Sequence, residues 1–202
     1  MKAIVKKIIA SVNLWHFLLY RRFFHNERVL LDLNRWAVKI GMENVLRLLG
    51  ATIGENSRID HGLMIKNAEA GSCANLRIGR HVRFGPGIIL DLADRIEIED
   101  ECGIADGTII VTHFSVGGDR PLFKVVGYQK GPFRMGRGAY IGVGCIVLHG
   151  VTIGEYAIVG AGTLVRNDVP PKSVMVGVPG KVIKRLDFEP EGEAVASGAK
   201  PS

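Results

Sequence analysis

The chain has 202 residues, 47% of them hydrophobic, which suits one folded domain with additions at its ends. Its 26 glycines against 7% aromatic residues favour many tight corners around a thin aliphatic core. The net charge of +6 sits in residues 1–49, with nine Lys/Arg and three acids; the rest is neutral, and without an RNA or DNA motif nothing points to nucleic acid.

Residues 1–49 are predicted to form an N-terminal helical segment. Ile4, Ile8, Val12, Trp15 and Leu19 recur at helical spacing. The apolar stretch Ile8 to Tyr20 is 13 residues long and contains Ser11, Asn13 and His16. A span needs about 20 apolar residues, so a transmembrane helix is rejected. The run ends in Arg21-Arg22-Phe23-Phe24 with no small-x-small cleavage site, so it is not read as an export signal. Two readings stay open for residues 1–24. One is a helix packed on the body or on a partner subunit. The other is a peripheral helix in a membrane interface, with Trp15, Phe17 and Phe23 inserted and basic residues at the headgroups. A second helical stretch, about Arg28 to Leu49, ends at Gly50, a common C-cap residue. Cys73, Cys102 and Cys145 form no CxxC pair and are read as small buried residues in a reducing compartment.

From residue 53 the sequence has a period of six. Met135, Ile141, Val147, Ile153, Val159 and Val165 recur, and four positions after each come Ala139, Cys145, Val151, Ala157, Thr163 and Val169. An earlier block carries the same grammar from Ile53-Gly54 to Ile104-Ala105. It is interrupted between Ile65 and Ile78, and between Leu90 and Ile98. Each unit is one short strand plus a corner, and three units make one turn of a triangular prism. No unit buries its core face alone, so units stack. The expected fold is an all-β solenoid, a parallel β-helix of about six coils over residues 50–186. The polar tail 187–202 is expected to be disordered.

The pattern resembles the hexapeptide-repeat transferases, and most nearly the maltose/galactoside acetyltransferase-like enzymes, including sugar O-acetyltransferases of bacterial polysaccharide synthesis. The run Val151 to Arg185, VTIGEYAIVGAGTLVRNDVPPKSVMVGVPGKVIKR, is very similar to that family. The resemblance implies a left-handed coil, acetyl-CoA as co-substrate, no metal, a saccharide acceptor, and a homotrimer with sites between subunits. A cytoplasmic enzyme is expected, with peripheral contact at the inner face of the membrane as one reading of its N-terminal segment.

Acyl transfer from a thioester needs a base for the acceptor proton, an oxyanion donor, and two substrates held together. His113 follows Thr112, where the period breaks off, and opens a glycine-rich loop over 114–134. The family's catalytic histidine stands at this point, so His113 is the expected general base. Asp119 or a main-chain carbonyl is available to orient its ring. By resemblance, pantetheine runs near Gly142, Val143 and Ala161. The phosphate and adenine end meets Arg166, Asn167, Lys181, Lys184 and Arg185. Where relatives place acceptor-binding Asn and Asp residues, this chain has Gly85 and Ala93. Asp94 is the remaining candidate for an acceptor hydroxyl, and Gly85 marks the acceptor side.

Two other classes fit the same coil. A γ-carbonic-anhydrase-like metalloenzyme needs three histidines, two close in sequence; after His113 the next is His149. A non-catalytic β-helix used for assembly needs no base at all.

Overall fold

The structure is a computed structural model that describes residues 13–20, 22, 30 and 32–187. It is an all-β solenoid, a left-handed parallel β-helix. Its first face stacks Thr52–Ile53, Leu76–Ile78, Ile96–Ile98, Phe133–Met135 and Thr152–Ile153. The second face stacks Arg58–Ile59, Arg83–Phe84, Gly103–Ile104, Tyr140–Ile141, Ile158–Val159 and Ser173–Val176. The third stacks Met64–Lys66, Ile89–Asp91, Ile109–Ile110, Ile146–Val147 and Leu164–Val165. That makes five full coils and part of a sixth, in which Val169 bridges Ile153.

The six-residue period is the inward register of these strands. Ile78, Ile98, Met135, Phe84, Ile104, Ile141, Leu90, Ile110 and Val147 are all buried. The small residues four positions on, such as Ala139, Cys145, Thr163 and Val169, are buried too. Burial pushes the thiols up, Cys73 to about 12 and Cys102 to about 11, so neither offers a thiolate near neutral pH.

The second–third edge is backbone-lined. Its successive turns carry Gly62, Gly87, Gly107, Gly144 and Gly162 at positive φ. At Gly142 on this edge, a Cβ would lie 2.7 Å from the Ala161 amide nitrogen of the next coil. Gly142→Ala is therefore expected to cost about 1–3 kcal/mol. In a thermal melt this lowers the midpoint by about 2–4 °C per kcal/mol.

Helices plug the open end of the first coil. The second helical stretch is two helices, α1 (Leu33–Ile40) and α2 (Met42–Leu48), broken at Gly41 with φ 87°. The break was not expected; the end near Gly50 was. Val45 and Leu46 are buried. The plug also satisfies strand groups that would otherwise face water. Glu43 accepts from the Ile59 amide at 2.7 Å, and Arg47 donates to the Ile53 carbonyl at 3.0 Å.

Residues 13–20 are helical and lean on this plug. Phe17 is fully buried, edge-on to Trp36 at 5.3 Å between ring centroids. This corrects its reading as a membrane-inserted residue: its ring is committed to the protein. Trp15 is exposed, and Phe23 lies outside the described residues, as do 1–12 and the tail from 188. Among the described residues no helix is long and apolar enough to cross a membrane.

Candidate active site on the third–first edge

All three interruptions of the period fall on the edge between the third and first faces. The excursion after Ile65 holds Asn67, the long spacing after Leu90 holds Asp91 and Asp94, and the loop after Ile110 begins with Thr112 and His113. The irregular backbone here gathers polar side chains from three successive coils.

Asp91 is the centre of the cluster and is 4% exposed. Its Oδ2 accepts from the Thr112 amide at 2.9 Å and the His113 amide at 3.1 Å, and contacts His113 Nδ1 at 2.5 Å. Its Oδ1 accepts from Asn67 Nδ2 at 2.8 Å. The Thr112 hydroxyl donates to the Asp91 carbonyl at 2.7 Å and accepts from the Asp94 amide at 3.0 Å. Burial alone would raise the Asp91 pKa. The hydrogen bonds from His113, Asn67 and the Thr112 amide outweigh it and hold the carboxyl below its ordinary value.

An ionised Asp91 at Nδ1 fixes the imidazole with its proton on that nitrogen, leaving the Nε2 lone pair to take a proton. The orienting group is thus Asp91, and the expectation of Asp119 or a main-chain carbonyl is corrected. Asp119 is exposed in the loop. The signal that was missed is the eight-residue spacing from Leu90 to Ile98, which opens this edge one coil below His113.

His113–Phe114 pairs antiparallel with Gln129–Lys130, so the loop is a hairpin standing off the coil. It carries a short helix, α3 (Phe123–Val126). Tyr128 lies near the His113 ring, at 5.7 Å between centroids. The coil resumes at Phe133, inside the predicted loop 114–134.

Removing the Asn67 amide should loosen Asp91. Asn67→Ala is expected to lower kcat about tenfold, the loss of about 1.4 kcal/mol. The KM for acetyl-CoA should not move, and steady-state kinetics separates the two.

The other expected site residues divide between locations. Gly142, Val143 and Ala161 share the second–third edge, where the Val143 and Ala161 amides donate to no group within the described residues. Arg166 and Asn167 are exposed on the third–first edge, above His113. Lys181, Lys184 and Arg185 are exposed on the antiparallel strand Lys181–Arg185, beside Ser173–Val176. Asp94 lies on the His113 edge, its Oδ1 accepting from the Arg95 amide at 2.7 Å. Gly85 lies on the second–third edge and lines a groove of about 670 Å³ on the second face. Within one copy His113 and the backbone-lined edge stand at different corners of the prism, and Asp94 and Gly85 are not brought together.

The model of the bacterial transferase hexapeptide (six repeats) matches residues 134–167. The galactoside O-acetyltransferase of Escherichia coli K12 is 30% identical over 148 residues, 72% of this chain and 68% of that one. A Staphylococcus aureus MRSA252 relative is 44% identical over 70 residues, 34% of this chain and 35% of its own length, so this match spans about a third of that relative. A variant of AntD, an N-acyltransferase from Bacillus cereus solved with dTDP and coenzyme A, superposes with TM-score 0.56 at 25% identity. That superposition covers 68% of this chain and 74% of AntD. The chain belongs to the hexapeptide-repeat acetyltransferase family.

Proposed function

We propose that the protein transfers an acetyl group from acetyl-CoA to a hydroxyl or amine of a saccharide, with His113 as general base, in bacterial polysaccharide biosynthesis. The observation that carries this reading is the Asp91–His113 pair at 2.5 Å on a coil of this family. His113 Nε2 takes the acceptor proton as its oxygen or nitrogen attacks the thioester carbonyl. The tetrahedral adduct collapses, the C–S bond breaks, and the proton passes to the leaving thiolate. The saccharide acceptor is supported by the relative named a galactoside O-acetyltransferase. The groove beside Gly85, with Tyr140, Arg83 and His81 among its walls, is the acceptor side of this reading.

The active unit is a homotrimer with each site shared between two copies. Two observations support it. The outward residues of the third face, Met64, Ile89, Ile109, Ile146 and Leu164, stack in register as one apolar stripe. The outward residues of the first face are polar, with Arg134 paired to Glu97 at 3.2 Å. An apolar face of this length calls for a partner. The stripe is flanked by the His113 edge on one side and the Gly142–Ala161 edge on the other. Closing three copies around it sets the base of one copy against the backbone-lined edge of the next. Pantetheine amides then meet the Val143 and Ala161 amides, and Arg166, Lys181, Lys184 and Arg185 supply cations for the phosphates. The expected setting is the cytoplasm, at the inner face of the membrane.

The test is release of free coenzyme A from acetyl-CoA over a panel of saccharides. Acceptor-dependent release by the wild type supports the reading. Binding of acetyl-CoA with no release on any hydroxyl or amino sugar contradicts it.

A further inference from the structure

The helical residues 13–20 have two apolar sides. Asn13, Phe17 and Tyr20 follow one side, and Phe17 and Tyr20 pack against Trp36. On the other side Leu14, Trp15, Leu18 and Leu19 are exposed, Trp15 by 62%. Arg22, also exposed, follows on that side. Ordinary surface helices carry polar residues there. The surrounding sequence is strongly cationic, with nine Lys/Arg to three acids in residues 1–49 against a neutral body. Apolar side chains in a segment whose sequence carries an excess of positive charge match an anionic bilayer surface in both terms.

We infer that this face docks the protein on anionic lipid. The helix leans on the plug at the first coil, so contact with the bilayer is made by one end of the solenoid. His113 sits in the third coil, two steps of about 4.8 Å or about 10 Å above the first. The plug and the docking helix, each about 10 Å across, lie between that coil and the lipid, so docking end-on holds the site within about 30 Å of the headgroups, in reach of the saccharide of a lipid-anchored acceptor. Only this last link rests on the acetyltransferase reading. In the proposed trimer three such faces lie at the same end, and avidity adds to each weak contact.

The test uses the full chain and vesicles of phosphatidylcholine, alone or mixed in equal parts with phosphatidylglycerol. Sedimentation is expected with the mixed vesicles, at least about tenfold stronger than with phosphatidylcholine alone. Because Trp36 is buried, a blue shift of tryptophan emission reports Trp15. The double variant Trp15→Ser/Leu18→Ser alters only exposed positions and should bind at least about tenfold more weakly. Its melting temperature and solution mass should match the wild type. Equal binding of variant and wild type overturns the inference, as does a wild type that ignores the mixed vesicles. A lower solution mass in the variant would show a contact between copies and overturns it too. None of these readouts requires enzymatic turnover, so a failure here is distinct from a failure of the proposed reaction.

Discussion

His113→Ala is expected to lower kcat for acetyl transfer by about 10²- to 10⁴-fold, the range that a positioned general base supplies. The KM for acetyl-CoA should stay within about twofold, because the groups assigned to the donor lie elsewhere and uniform binding is untouched. The fold should survive, since Asp91 keeps its bonds from Asn67 and the Thr112 amide. Acceptor-dependent coenzyme A release, measured with a thermal melt on the same sample, checks both halves. A variant that keeps full activity with a productive acceptor would remove His113 from the mechanism.

Asp91→Asn is expected to lower kcat on the order of 10³-fold without changing the shape of the site. The amide oxygen must face the Thr112 and His113 main-chain N–H groups that Oδ2 now accepts from, so Nδ1–H keeps only a neutral acceptor and the imidazolium that forms at His113 loses its stabilising charge. A purely structural role for Asp91 would instead lower stability and leave the turnover of folded enzyme intact. Stability carries its own signature. The folded carboxyl titrates below its ordinary value of about 3.9, so its contribution is fully present above that pH. That contribution is lost as pH falls through the lowered folded value. Asp91→Asn should therefore flatten the acid limb of a plot of unfolding free energy against pH, as read from denaturant melts at successive pH values.

Much of the fold was legible because the repeat is a packing rule. An inward aliphatic residue every six positions and a small residue four later are what a narrow prism requires, and the buried positions follow that register. His113 was legible as the histidine at a break in the period. Asp91 was not, because an orienting group was sought inside the loop, nearby in sequence. The coil makes neighbours of residues about one turn apart. The two earlier breaks, read as separate irregularities, lie on the same edge as the loop and carry Asn67 and Asp91 to it. The helical break at Gly41 left a signal that went unused: Leu33, Trp36, Ala37 and Ile40 follow one helical face, and Met42, Val45, Leu46 and Leu49 follow the opposite one. The division between edges of the residues expected to bind the donor also escaped the sequence, because a six-residue period does not by itself say which face each hexad occupies.

The site between copies is the central claim, and mixed trimers test it most directly. His113→Ala removes the base from one edge, while Ala161→Trp blocks the other edge at an exposed position. Each variant alone should be inactive. Co-expressed with different affinity tags and purified as mixed trimers, they should recover activity. Every mixed trimer holds two copies of one variant and one of the other, so about a third of its sites pair an intact base with an intact edge. Recovery toward that fraction of wild-type coenzyme A release is the expected result. Mixed trimers no more active than the two parents would contradict a site shared between copies.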